Sequence, residues 1–154
     1  MSQPRDHGFT LIEVIVAIGL ACTLMAFAVA GYHRWSAGSQ QSGTARELQS
    51  LLRNTQQRAV TEGTAMCVLF DTAADSYRVL EGTCAAPGDQ LEGPFETADA
   101  RVELASPLFA SGAAGVTFFA RGTASPGSVK VTREGSTKVY TVAVEGLTGR
   151  VSLS

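Results

Sequence analysis

The chain has 154 residues, 45% of them apolar and 17% charged, with a formal net charge of −2, a balance that excludes a strongly basic nucleic-acid surface overall but not a local patch. Its two histidines, His7 and His33, lie near the N-terminus, so the rest of the chain has none for a triad, a general base or a zinc site. No phosphate loop, His-Glu-x-x-His or Gly-x-Ser-x-Gly pattern occurs and no acids are paired for catalysis, so neither an enzyme nor a cofactor is expected.

Gly8-Phe9-Thr10-Leu11-Ile12-Glu13 opens an apolar run that continues to Ala30. A run of that length crosses a hydrocarbon core of roughly 30 Å as a helix. Glu13 is its one acid. A charge near the bilayer centre costs roughly 2.5–3.5 kcal/mol, and a position closer to the interface reduces that cost without removing it. The run holds no basic residue, so a partner for the carboxylate must come from a chain terminus or another molecule. Tyr32, Arg34 and Trp35 follow, the aromatic-and-cation pattern of an interfacial anchor. Arg5 is offset by Asp6, so charge alone gives almost no orientation. Two plainer readings stay open. One is an ordinary single-pass anchor with Glu13 near the headgroups. The other is a secretory signal peptide cut at Ala26-Phe27-Ala28 or Ala28-Val29-Ala30, against which stand the length of the run and the acid within it.

Gly8-Phe9-Thr10-Leu11-Ile12-Glu13-Val14 ahead of an apolar helix resembles the N-terminal signal of type IV pilins and type II secretion pseudopilins. The resemblance implies cleavage between Gly8 and Phe9 by a prepilin peptidase, N-methylation of Phe9, and pairing of Glu13 with the free amine of a neighbouring subunit during assembly. It also implies a cytoplasmic leader (residues 1–8), a transmembrane segment (9–31), an amphipathic continuation of the helix (32–62) and a periplasmic β-rich domain (63–154). The implied partners are other pilin or pseudopilin subunits, an inner-membrane assembly platform and membrane lipid. Two features depart from the family pattern. The leader is less positive than usual, and the proline that often kinks the membrane half is missing. Ala30 follows Val29, which moves any kink to Gly31 or Gly38.

Beyond the span, Ala45, Leu48, Leu52, Thr55 and Ala59 recur at spacings of three and four with Leu51 alongside, while Arg46, Glu47, Arg53, Gln56 and Gln57 fall mainly on the other side. This predicts an amphipathic helix ending near Glu62-Gly63. Gly38 to Gly43 is poor in helix formers and reads as a bend or local melting point, since each glycine costs about 1 kcal/mol against alanine.

After Gly63 the period changes to two. Residues 65–71 read as a strand with Met66, Val68 and Phe70 on one face and Cys67 and Leu69 on the other. A turn at 72–75 leads to a strand at 76–81 with Tyr77 and Val79 on one face. Pro87 to Asp99 reads as a loop, Arg101 to Ala105 as a strand and Ser106 to Gly115 as irregular. Strands follow at 116–119, 128–133, 137–144 and around Val151–Leu153, separated by turns at 121–127, 134–136 and 146–149. One long helix followed by short antiparallel strands is an α+β layout.

Val116-Thr117-Phe118-Phe119, then Gly122-Thr123-Ala124, and Leu147-Thr148-Gly149-Arg150-Val151 together resemble the GspH/FimT group of minor pseudopilins and minor pilins. That resemblance implies two β-sheets packed on the C-terminal half of the helix. Cys22 reads as a small packing residue in the span. Cys67 and Cys84 would lie outside the cytoplasm, where disulfides persist. A tight hairpin sets Cys67 opposite Leu80, so Cys84 overshoots and its chain must fold back for the two to bond; both states stay open. Asp89, Glu92, Glu96 and Asp99 read as a solvated acidic loop in preference to a calcium site, and no metal is expected.

Some DNA-uptake minor pilins resembling this group carry Gly-Arg-x-Arg near the C-terminus. Here the segment is Gly149-Arg150-Val151-Ser152, without the second arginine. Arg121, Lys130, Arg133, Lys138 and Arg150 still outnumber Glu134 and Glu145, and phosphate contacts add up with charge. The leading reading is a filament subunit; the alternative is a minor pilin that binds duplex DNA, and an ordinary solvated strand surface explains the same cations.

Overall fold

The computed structural model describes residues 10–97, 99–110 and 114–154, with the side chains of 29–37 excepted. The interfacial residues Tyr32, Arg34 and Trp35 therefore lie outside the described side chains. The chain divides into two compact units, Met1–Ala37 and Gly38–Ser154. Helix α1 (Leu11–Glu62) contributes to both.

In the first unit, Leu11–Ala28 has a mean hydropathy of 2.4 and no part of it is buried within the chain. Leu11, Ile12, Ile15, Leu24 and Phe27 are all largely exposed. By length and composition this segment is able to cross a membrane. Exposure all round is the expected state of a helix whose solvent is lipid or neighbouring subunits.

In the second unit the strands are β1 (Met66–Asp71), β2 (Ser76–Thr83), β3 (Ala86–Glu96), β4 (Val102–Phe109), β5 (Gly115–Phe118), β6 (Gly127–Arg133), β7 (Tyr140–Val144) and β8 (Val151–Leu153). They form two antiparallel four-stranded sheets, ordered β3-β2-β1-β5 and β4-β6-β7-β8. Ala45, Leu48, Leu52 and Ala59 of α1 are fully buried. They share one core with Met66, Val68 and Phe70 of β1, Tyr77 and Val79 of β2, and Val129, Val131, Val142 and Val144 of the second sheet. The helical stripe and the strand alternation thus meet as the period-3.6 and period-2 patterns require. The opposite face of β1 builds a smaller cluster from Cys67, Leu80 and Cys84, with Leu69 packed against it.

Four expectations are corrected. Gly38 to Gly43 stays helical. The buried Gln41 sits in the middle of this segment and donates from Nε2 to Val131 O (3.1 Å) and Lys138 O (2.8 Å), while Thr44 and Ala45 are buried directly after it. That packing offsets the glycine penalty. Pro87 to Glu96 is strand, not loop, and pairs with β2. It is an edge strand interrupted by register shifts, the setting in which Pro87 and Pro94 are tolerated, and Phe95 packs on Tyr77 at 5.6 Å between ring centroids. Strand β4 runs on to Phe109 through a register shift between Ala105 and Leu108, where Ser106 has a φ of 50°. Phe109 then stacks on Phe70 at 5.6 Å. Finally, β7 starts at Tyr140; residues 137–139 are irregular, after the turn at 134–135, and Val139 is 44% exposed.

Two stability predictions follow from these contacts. Gln41→Leu leaves the buried Val131 carbonyl and the partly buried Lys138 carbonyl without this donor, and its urea midpoint is expected to fall by an amount equivalent to about 1–3 kcal/mol. An unchanged midpoint would show that the clamp contributes nothing. The Tyr77 phenol is pushed from 10.0 up to about 12 by burial and, secondarily, by the Glu47 charge. The unfolded chain gives up this proton first as pH rises. Stability is therefore complete below pH 10.0 and declines from there towards about 12. Tyr77→Phe is expected to remove that part of the decline in urea midpoints taken at stepped pH.

Candidate functional site

Gly8 and Phe9 lie outside the described residues. Thr10 immediately precedes α1, and its Oγ1 accepts the Glu13 N–H at 3.3 Å while its carbonyl accepts the N–H groups of Glu13 (3.1 Å) and Val14 (3.3 Å). Thr10-x-x-Glu13 has the spacing of a capping box, a signal legible in the sequence that the reading above passes over. Glu13 lies in the first turn, where the helix dipole favours a negative charge. On the same face of the helix lie Val14, Ala17, Ile18 and Ala21, all exposed within the chain. That face is apolar apart from the carboxylate, and no cation lies in sequence between Thr10 and Ala30.

In the second unit Cys67 and Cys84 form a disulfide with Cα atoms 5.1 Å apart. Cys67 pairs with Leu80 across the hairpin. The overshoot is taken up by a turn at Thr83–Ala86, in which Thr83 Oγ1 accepts the Ala86 N–H (3.2 Å) and the Cys84 N–H reaches Thr117 Oγ1 of β5 (3.0 Å). Gly115 makes this approach sterically feasible, since a Cβ there would stand 2.6 Å from Val68 O and 3.0 Å from Cys84 Sγ.

The acids are spread along β3 and the following turn. Asp89 and Glu96 are exposed, and Glu92 pairs with Arg58 of α1 at 2.5 Å. Asp99 is bonded by the side chain and backbone N–H of Arg101, which hold its carboxyl down to about 2. Among the described residues, no three His, Cys, Asp or Glu side chains converge as a metal ion requires.

The five cations do not form one surface. Lys130 projects from the middle of β6, while Arg133 and Lys138 flank its far end. Lys138 Nζ sits 4.8 Å from the Tyr140 ring centroid, and Arg133 Nε is buried without a hydrogen-bond partner. Arg121 and Arg150 belong to two loops at the other end of the sheet. Gln56 of α1 ties those loops together, donating to Gly122 O (3.2 Å) and Thr148 O (2.9 Å). The sequence reading assigns Gln56 only to the polar side of the helix, because a glutamine carries no mark of which carbonyl it will reach.

Gly149 is buried with a φ of 62°, and a Cβ there would stand 2.5 Å from Gly122 O and closer still to the Gln56 amide. The Leu147–Val151 motif therefore has a physical reason for its glycine. It lets the two loops and the helix meet.

Residues 44–148 match the family described as type II transport protein GspH, and residues 3–29 match the prokaryotic N-terminal methylation motif. The chain belongs to the GspH family. Its fold resembles that of the minor pseudopilin EpsH of the Vibrio cholerae type 2 secretion system, with 14% identity, a TM-score of 0.58, and coverage of 75% of this chain and 96% of that one. It also resembles the type IV minor pilin FimU of Pseudomonas aeruginosa, with 19% identity, a TM-score of 0.56, and coverage of 78% and 92%. No curated relative matches in sequence. The long N-terminal helix with two antiparallel sheets is thus the pilin-like α+β fold, and the two-sheet arrangement implied by the GspH/FimT resemblance is present.

Gly149→Ala places a side chain in left-handed backbone and against Gln56. The expected cost is about 1–3 kcal/mol from backbone strain, with more from the clash, read as a lowered urea midpoint. Full stability of this variant would mean that the loops are not held as described.

Proposed function

We propose that the chain is a minor pseudopilin or minor pilin, a structural subunit that inserts into or primes a type II secretion pseudopilus or a type IV pilus. In this reading residues 1–8 are a leader removed by prepilin peptidase between Gly8 and Phe9, and Phe9 is then N-methylated. Residues 9–31 anchor the subunit in the inner membrane, 32–62 continue the helix, and 63–154 lie in the periplasm. The observation that carries the reading is the coincidence, on one chain, of the methylation motif over 3–29 and the GspH match over 44–148.

The chemistry at Glu13 fits assembly. A carboxylate on an apolar helix face without a cation of its own favours whichever neighbour brings one, and a free Phe9 amine is such a cation. The subunit waits in the bilayer with an unpaired charge and loses that penalty when it docks. The DNA-binding reading draws its support from Arg121 and Arg150 in adjoining loops, with Lys130, Arg133 and Lys138 held elsewhere. Two arginines beside exposed apolar residues offer less to a phosphate backbone than five on one face.

Glu13→Gln and Glu13→Leu are expected to leave leader cleavage intact and to lower incorporation into filaments by roughly tenfold or more, the scale of a desolvated charge pair. Immunoblots of cleaved subunit in sheared filaments and in membranes would measure both. Normal incorporation of both variants would refute the pairing role.

A further inference from the structure

The first sheet has a second face, turned away from the core it shares with α1. Alternation along β5 sends Val116 and Phe118 into that core, so Thr117 and, just past the strand, Phe119 fall on the other side, with Thr117 paired to Cys67 of β1. A shallow depression of about 350 Å³ lies there. Thr83, Thr117 and Ser125 give it hydroxyls, while Ala85, Ala110, Phe119 and Pro126 give it apolar surface. Ligand sites run to roughly 300–1,000 Å³, so this one has room for a single small ring and a substituent. Among the described residues that line it none is charged. That sets aside phosphates, carboxylates and nucleic acid.

The hydroxyls are fixed in place and only half used. Thr117 is 2% exposed and Ser125 9%. Thr83 Oγ1 accepts the Ala86 N–H (3.2 Å), Thr117 Oγ1 accepts the Cys84 N–H (3.0 Å) and Ser125 Oγ accepts the Thr117 N–H (2.8 Å). Among the described residues none of the three hydroxyls finds an acceptor for its own proton. A buried donor of this kind is costly unless something supplies the acceptor. The walls are held as well. The Cys67–Cys84 disulfide ties the Thr83–Ala86 turn to β1, and the Gly122 N–H binds Phe119 O (2.9 Å). Phe119 nevertheless stays 37% exposed. An open aromatic ring beside two buried, unspent donors is a preorganised arrangement.

We infer that this depression is a saccharide site that takes one N-acetylhexosamine unit. The acetamido carbonyl accepts from the Thr117 and Ser125 hydroxyls, its methyl group lies against Ala85 and Ala110, and the C–H face of the pyranose covers the Phe119 ring beside Pro126. The sugar is neutral, as an uncharged site requires. A peptide carbonyl would also satisfy the hydroxyls, but an extended peptide needs a free strand edge. The edge of β5 is occupied: the Phe119 N–H binds Thr123 O (2.9 Å), the Ser125 N–H binds Thr117 O (2.9 Å) and Phe118 pairs with Ala124. The biological setting rests on the filament-subunit reading, which puts residues 63–154 in the periplasm beside the N-acetylhexosamine polymer of the cell wall. Binding itself involves neither leader cleavage nor Glu13, so the two fail separately.

The test is saturation-transfer NMR on the full chain in micelles of a sugar-free detergent, with N,N′-diacetylchitobiose as the probe. Saturation is expected to reach the acetyl methyl protons most strongly, with a dissociation constant on the order of 1 mM, the scale of a small ligand in an open site. Cellobiose has the same linked rings without acetamido groups, and its transfer is expected to be roughly fivefold lower or less, because the buried donors are then left unpaired. Phe119→Leu should cut the transfer by about the same factor and Phe119→Tyr should keep it, since only the second retains the ring. Ala85→Leu, at an exposed position, should fill the space for the acetamido group and abolish the signal. Sedimentation of the chain with insoluble cell-wall glycan, reversed by excess disaccharide, would identify the polymer as the source; disaccharide binding without sedimentation would identify a free saccharide. No transfer to diacetylchitobiose, equal transfer to cellobiose, or transfer indifferent to Phe119→Leu or to Ala85→Leu would each overturn the proposal.

Discussion

Ala45, Leu48, Leu52 and Ala59 form the face of α1 over which both sheets of the second unit close, and all four are fully buried. The sheets place their inward strands on this face, so its loss would leave each with an uncovered apolar surface. Helix propensity alone does not maintain it, because the segment starts among glycines and serines and carries Thr44 and Thr55 on the buried side. Packing of one face against two sheets does.

The flank of that helix facing the second sheet adds a set of donors. Gln41 reaches Val131 O and Lys138 O, Gln49 and Arg53 reach Val151 O, and Gln56 reaches Gly122 O and Thr148 O. Val131 lies in the inner strand β6 and Val151 in the outer strand β8, while Lys138, Gly122 and Thr148 lie outside the strands, so the helix supplies donors both to the second sheet and to its connecting segments. The other flank meets the first sheet through Arg58 and Glu92. The loops that carry Arg121, Leu147 and Arg150 are therefore positioned by the helix. The first unit has no such internal partner. Its apolar side chains are exposed within the chain, and the carboxylate of Glu13 shares that surface. The second unit has a core of its own, and the described side chains of the first unit are not buried within the chain.

Much of this is legible in the sequence wherever pattern and burial coincide. Met66, Val68 and Phe70 enter the main core while Cys67 and Leu69 join the small cluster behind it, as alternation predicts. The helical stripe is likewise read correctly from Ala45 to Ala59. Pattern fails where burial is one-sided or weak. β3 carries Pro87, Gly88, Gly93 and Pro94 because an edge strand needs neither a full set of donors nor an apolar face. β4 continues past Ser106 and Pro107 through a bulge in its pairing with β6, where a period-two pattern breaks off. Gly38 to Gly43 is helical because of Gln41, whose two acceptors lie far along the chain. Thr10 and Glu13 are the opposite case. Their capping spacing is visible in the sequence, because the bond from the Glu13 N–H to Thr10 Oγ1 spans only three residues.

The proposal that the chain is a processed filament subunit is tested most directly by the mass of its N-terminal peptide. The expected result is a chain that begins at Phe9 and carries a methyl group on that residue. An intact leader, or a start near Val29 or Gly31, would contradict it.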